Sequence, residues 1–208
     1  GVMDGHAYGL VGVERRSGDG EELWVKIWNP WGKDWLKKLG DRASSFWMEF
    51  DEFCRCFEDI YLCRLPTEDW LTHSFEYKWS KTKKNVGGCT NFRSFPNNTQ
   101  LALTVRKPTK LFICLSQEDY RGQRDPYGIG FEIYHNKGKP ISLTQVGQFI
   151  GANNAGYCVD RAVSGEFLLK PSPTPYTIFL STYEPNQECD FYVDVWSYKE
   201  RVELGVYL

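Results

Sequence analysis

The chain has no excess of charge of either sign: 25 Lys and Arg face 27 Asp and Glu, a formal net charge of −2 over 208 residues. That balance removes electrostatics as the main route to nucleic acid or to an anionic membrane. No run approaches the roughly 18 apolar residues of a membrane-spanning helix, and the first residues do not read as a signal peptide. There is no Cys-x-x-Cys, and the seven cysteines, at 54, 56, 63, 89, 114, 158 and 189, follow no disulfide-framework spacing. An odd, scattered set argues against a secreted disulfide scaffold and predicts reduced thiols in a cytoplasmic protein. Cys54, Cys56 and Cys63, with His73 further on, form the tightest cluster of metal-ligating types. Zinc is not expected there, because two residues of a helical pattern set two apart point to nearly opposite sides.

What the sequence has in plenty is aromatic residues: 8 Trp, 12 Tyr and 13 Phe, or 16%. That content favours a β-rich core, and the length fits one or two domains. The opening Gly1-Val2-Met3 is not a natural start, so the chain is expected to be cut from something longer. Residues 6–13 and 22–28 read as strands, with Leu23, Val25 and Ile27 alternating against Trp24, Lys26 and Trp28. The Gly- and Asp-containing stretch 15–21 between them supplies a hairpin turn. Residues 46–57 place Phe50, Phe53, Cys54 and Phe57 on one helical stripe, and Ile60 to Leu65 reads as a short strand ended by Pro66. After a polar seam at 67–72, alternating runs recur at 74–80, 100–105, 110–116, 128–135, 141–146, 157–163, 165–170, 176–182 and 190–197. About eight short strands without a convincing helix predict an antiparallel β-sandwich. The basic patch 81–84 reads as a solvated turn, and no nucleic-acid partner is expected.

The hairpin has a consequence for chemistry. A turn between Ser17 and Gly18 sets His6 directly across from Asn29, and moving the turn to Gly18-Asp19 shifts the pairing by only two residues. Either way the two become neighbours. An Asn carbonyl that accepts from one imidazole N–H fixes tautomer and ring plane, leaving the other nitrogen to pair with a thiol and hold it as thiolate. Papain-like proteases use such a Cys-His-Asn set in that chain order. Trp28 and Trp31 flank Asn29 and could shield the bond from water. The plainer alternative is a structural histidine at a strand end and an Asn-Pro turn starter.

Gly5-His6-Ala7-Tyr8, Asn29-Pro30-Trp31-Gly32 followed by Trp35, and Phe46-Trp47-Met48 with Phe50 and Phe53 resemble the second half of the calpain protease core. Trp79, Gly87-Gly88-Cys89 with Asn91, Gly130-Phe131-Glu132-Ile133-Tyr134, Gly165-Glu166-Phe167, and Ser181-Thr182-Tyr183-Glu184-Pro185 with Asp190-Phe191 resemble the C2-like sandwich, domain III, that follows it. The resemblance implies a mainly β chain with minor α. Residues 1–66 would be the His/Asn half of a papain-like core, 67–72 a linker, and 73–208 domain III. It implies that His6 is the general base, that Asn29 orients it, and that the Trp31 indole covers their bond. The substrates would be proteins, cut by an intracellular, cytoplasmic thiol endopeptidase.

Two parts of the family pattern are missing. None of the seven cysteines lies in the Gln-Gly-x-x-Gly-x-Cys-Trp-like context of the nucleophile. The amino-terminal half of the core, carrying that cysteine, is therefore an expected partner, and this chain alone is expected to be inactive. The family's calcium is the one cofactor the resemblance suggests. Its loop, Leu36 to Ser45, has only Asp34 and Asp41 nearby, and in Gln117–Asp125 arginines offset the acids. Hard calcium sites want several oxygen ligands, usually with more than one carboxylate. The competing reading is an inactive calpain-like scaffold whose sandwich makes a weak contact with a protein or a membrane. A papain-type hydrolase of another family is disfavoured by the sandwich.

Overall fold

The computed structural model describes residues 2–17, 21–30, 45–62 and 67–207. The chain divides into two compact units, Gly1–Arg64 and Leu65–Leu208. In the first, β1 (Gly9–Ser17), β2 (Glu21–Trp28) and β3 (Ser45–Glu49) form an antiparallel sheet in that order, followed by the short helix α1 (Phe50–Cys56). The alternation of β2 sends Val25 and Ile27 inward, where with Phe53 of α1 they form a small core against Tyr8, Met48 and Phe57. Burying each such side chain is worth about 1.5–3 kcal/mol. On the other face the Arg16 guanidinium lies 4.3 Å from the Trp24 ring and 5.0 Å from Trp47.

The helix expected over 46–57 is shorter than its pattern. Residues 46–49 are strand, with Phe46 across from Ile27 and Met48 across from Val25. Phe46-Trp47-Met48 alternates with the period of two that suits a sheet edge, and tertiary pairing overrides the helical stripe. The helix begins only where Asp51 and Glu52 face its positive end and Arg55 its negative end. Of the expected stripe, Phe53 is buried, whereas Phe50 and Cys54 are exposed. Ile60 to Leu62 is not strand, and all three side chains are exposed; the rest of that expected strand lies outside the described residues.

The second unit is an antiparallel two-sheet sandwich. One sheet contains β4 (Trp70–Trp79), β6 (Thr109–Gln117), β10 (Ala162–Leu169) and β12 (Cys189–Tyr198), in the order β10-β6-β12-β4. The other contains β5 (Gln100–Thr104), β7 (Gly128–His135), β8 (Gln148–Ala152), β11 (Tyr176–Thr182) and β13 (Glu203–Val206), in the order β13-β5-β11-β7-β8, with β9 (Cys158–Val159) also pairing β7. Alternate residues of β6 (Leu111, Ile113, Leu115) and β12 (Phe191, Val193, Val195) meet Ile129, Phe131, Ile133, Ile178 and Leu180 in one core. Every residue of β11 is buried, because its outer face is covered as well: Phe179 packs with Phe95, Tyr134 and Ile141.

Several element boundaries differ from expectation. Strand β4 begins at Trp70, inside the stretch read as linker, and pairs with β12 through Tyr198. Residues 142–146 form no strand; Ile141 is a buried plug whose N–H and C=O are both held by the Gln100 side chain, at 2.7 and 3.0 Å. The run 157–163 is broken at Asp160-Arg161 into β9 and the start of β10. Strands β8 and β13 lie outside every run read as strand. No helix among the described residues is long and apolar enough to cross a membrane.

Candidate active site

The site stands at the open end of the first hairpin. Nearest the turn, Ser17 pairs with Glu21 and the register holds to Gly12 across from Lys26. Val11 is then bulged out, so Leu10 pairs with Ile27 and Gly9 with Trp28. Beside the turn the register is that of neither expected two-residue turn, and the strand ends at Gly9 rather than reaching His6, so His6 is not strand-paired across from Asn29. His6 therefore approaches Asn29 from a loop, with its side chain spanning the gap.

The result is a hydrogen bond of 3.0 Å between His6 Nε2 and Asn29 Oδ1 in a half-buried setting. A carbonyl oxygen only accepts, so Nε2 carries the hydrogen and donates it. In the neutral ring Nδ1 then holds the lone pair, the form required of a general base. Tyr8 meets His6 edge to face, with ring centroids 4.7 Å apart and planes at 82°. Trp31, Asp34, Asp41 and Cys63 lie outside the described residues.

The described cysteines are all free thiols: Cys54 and Cys56 are exposed on α1, Cys89 and Cys189 are buried, and Cys114 and Cys158 are half-buried. Burial pushes Cys114 up to about 11, with Asp194 adding to the rise. Burial likewise pushes Cys189 up to about 11, partly opposed by Arg124. Such thiols are the reverse of an activated nucleophile.

Among the described residues no group of three or more His, Cys, Asp or Glu side chains is placed to hold a metal ion, and in the Gln117–Asp125 loop arginines engage Asp119. Asp119 Oδ2 lies 2.5 Å from Arg121 Nη2 and 3.4 Å from Arg161 Nη1, while Oδ1 accepts the Arg121 backbone N–H at 3.0 Å. These bonds to Arg121 hold the Asp119 carboxyl below its usual range. Glu118 accepts the Tyr120 hydroxyl at 2.5 Å. Two of the three carboxylates of this loop, Glu118 and Asp119, are thus engaged by donors of this chain.

Two structural features escaped sequence reasoning. Tyr8 stands within the Gly5-His6-Ala7-Tyr8 motif, yet its contact with His6 depends on a ring stack that reaches Phe57. The Gly87-Gly88-Cys89 motif is organised by Asn98 rather than by Asn91. Asn98 Oδ1 accepts the Gly87 N–H at 3.0 Å, and Nδ2 donates to Gly88 O at 2.7 Å.

Comparison with known proteins accounts for both units. Residues 75–196 match the family described as calpain large subunit, domain III. Calpain-9 of Rattus norvegicus is 28% identical over 97% of this chain and 35% of its own length. The calpain-2 catalytic subunit of Homo sapiens is 28% identical over 96% of the chain and 36% of its own length. Calpain-type cysteine protease DEK1 of Zea mays is 27% identical over 95% of the chain and 11% of its own length. The chain thus spans about a third or less of these relatives. It belongs to the calpain family and carries the family's large-subunit domain III.

Proposed function

We propose that this chain supplies the general base and its orienting residue to a calpain-type cysteine endopeptidase. The nucleophilic cysteine would come from an upstream half of the core. His6 Nδ1 takes the thiol proton, and Asn29 holds the imidazole and steadies the imidazolium that forms. The thiolate adds to the peptide carbonyl, the leaving amine takes the proton back from His6, and water clears the acyl-enzyme by the same route in reverse. The oxyanion donors belong to the other half of the core. Substrates are proteins, and the working compartment is the cytoplasm, in keeping with the free thiols of the described cysteines. No step in this scheme needs a metal.

The single observation that carries the proposal is the 3.0 Å His6 Nε2–Asn29 Oδ1 bond, joining residues 23 apart in sequence. In the complete protein, His6→Ala lowers kcat/KM for a peptide substrate by at least about 10³-fold, and Asn29→Ala lowers it less. Wild-type turnover in His6→Ala overturns the assignment. A complete wild-type protein with no iodoacetamide-sensitive turnover would instead support an inactive scaffold acting through its sandwich.

A further inference from the structure

A hydrogen bond pins one point of an imidazole, and an edge-on ring contact adds a constraint on the plane of the ring. Tyr8 supplies such a contact, meeting His6 at 4.7 Å and 82°. Edge-to-face pairs are favoured by the opposed quadrupoles of the two rings, so this contact selects a plane as well as a distance. Tyr8 is itself held at both ends. Its hydroxyl oxygen accepts the Met3 backbone N–H at 2.9 Å, and its ring meets Phe57 edge to face at 5.7 Å and 84°. Phe57 stacks on Phe53 at 4.8 Å and 29°, and Phe53 is buried with Val25 and Ile27. A ladder of rings therefore runs from the small core of the first unit to His6.

We propose that Tyr8 is a positioning residue that holds the His6 ring in the rotamer presenting Nε2 to Asn29. This rests on the reading of His6 as general base. Rotation of the imidazole about its Cβ–Cγ bond would carry Nε2 away from Asn29 Oδ1, and the bond that selects the tautomer would be lost. By opposing that rotation Tyr8 determines which nitrogen can receive a thiol proton. It touches neither thiol nor substrate and acts only through His6.

The test is made on this 208-residue chain, labelled with ¹⁵N. Long-range ¹H–¹⁵N correlation reads which ring nitrogen of His6 is protonated, and His6→Gln assigns the signal among the three histidines. In wild type the Nε2–H form dominates, with nuclear Overhauser contacts between the rings of His6 and Tyr8. Tyr8→Phe keeps the ring and the preference. Tyr8→Leu lowers the ratio of Nε2–H to Nδ1–H by about two- to tenfold, the worth of one edge-on aromatic pair. An unchanged ratio in a folded Tyr8→Leu chain overturns the proposal. If Tyr8→Leu does not fold, Phe57→Leu, which releases the far side of Tyr8, must lower the ratio, and no fall there overturns it equally. Asn29→Ala separates the two readings. A fall with Asn29→Ala but none with Tyr8→Leu removes only the positioning role, whereas no fall with either removes the His6–Asn29 pair as well.

Discussion

Gly87 shows how much a single position can depend on having no side chain. A Cβ built there would collide with the Ser94 carbonyl oxygen and come within 3.0 Å of Asn98 Nδ2. Next to it Gly88 has φ +76°, and a Cβ there would lie 2.7 Å from Pro185 N. The two glycines let the backbone pass between a three-residue 3₁₀ turn, Phe95–Asn97, and the loop after β11, where the Cys89 N–H reaches Tyr183 O at 3.0 Å. Gly87→Ala should destabilise the second unit by about 1–3 kcal/mol, the usual cost of forcing atoms into a packed site. Gly205, with open space where its Cβ would stand, is the control, and Gly205→Ala should stay within about 0.5 kcal/mol of wild type. Urea midpoints at constant slope measure both, and equal midpoints for the two variants would refute the steric argument. The same residues mark how far the sequence could be read. The double glycine was visible as a motif, but its partner Asn98 was not, because the bonds are made through space by a side chain inside a loop. His6 and Asn29 were legible because a hairpin converts sequence spacing into proximity. Tyr8 was not, because its contact with His6 belongs to a ring stack with Phe57, just past the end of α1, and Phe53 within it.

At the scale of elements, the helix α1 is where local pattern and tertiary pairing compete. Residues 46–57 read as one helix with Phe50, Phe53, Cys54 and Phe57 on a stripe, yet β2 captures residues 45–49 as a third strand. The register places Met48 across from Val25, so both sides of the small core come from paired strands and Phe53 closes it from the helix. A helix of seven residues has little stability of its own and stands on that packing. Phe53→Ala should therefore cost about 3–5 kcal/mol in the first unit. It should appear as lost hydrogen-exchange protection in the β2 amides, with Phe50→Ala, at an exposed ring, nearly silent. Equal protection loss in both variants would mean that the helix is held by its exposed face. In the sandwich, strands with strict alternation of large apolar residues, such as β6 and β12, were legible almost to the residue. The misreadings have the opposite character. Ile141 to Val146 alternates like a strand, but only Ile141 is buried, held by Gln100, while Leu143 and Val146 face solvent. Strand β8 (Gln148–Ala152) and strand β13 (Glu203–Val206) each contain a glycine and sit at sheet edges, so neither carries a full alternating face.

At the scale of the whole molecule, the titratable groups that folding perturbs most among the described residues are thiols and phenols rather than carboxylates. Cys114 and Cys189 are both pushed up from 9.0 to about 11, chiefly by burial. Tyr120 is pushed from 10.0 to about 12, first by its bond to Glu118 and then by burial. Burial also raises Tyr157, under whose ring Gly130 leaves room, and Tyr134, which donates to Glu132. Each of these groups keeps its proton more tightly folded than unfolded. Their contribution is therefore complete below the unfolded values and is lost as pH rises through the folded ones. For the thiols the window runs from about pH 9 to 11, and for Tyr120 from about 10 to 12. Within its window each of the two largely buried thiols removes up to about 1.4 kcal/mol of stability per pH unit, and solvent screening makes the effect of Tyr120 smaller. The carboxylates of the exposed Glu52 and the half-buried Asp119 are held low by Arg55 and Arg121, an effect lost on the acid side that solvent screening keeps small. The thermal midpoint of this chain, followed by circular dichroism in the sandwich-dominated β signal, should be level from about pH 7 to 9 and then fall steeply towards pH 11. Replacing one thiol with a group that does not ionise, as in Cys189→Val, should make the fall shallower while leaving the plateau within the usual cost of a core repacking, under about 1.5 kcal/mol. A midpoint that stays level through pH 11 would show that the buried thiols and phenols do not titrate with unfolding. A fall that begins below pH 8 would show that groups other than these thiols and phenols control the transition.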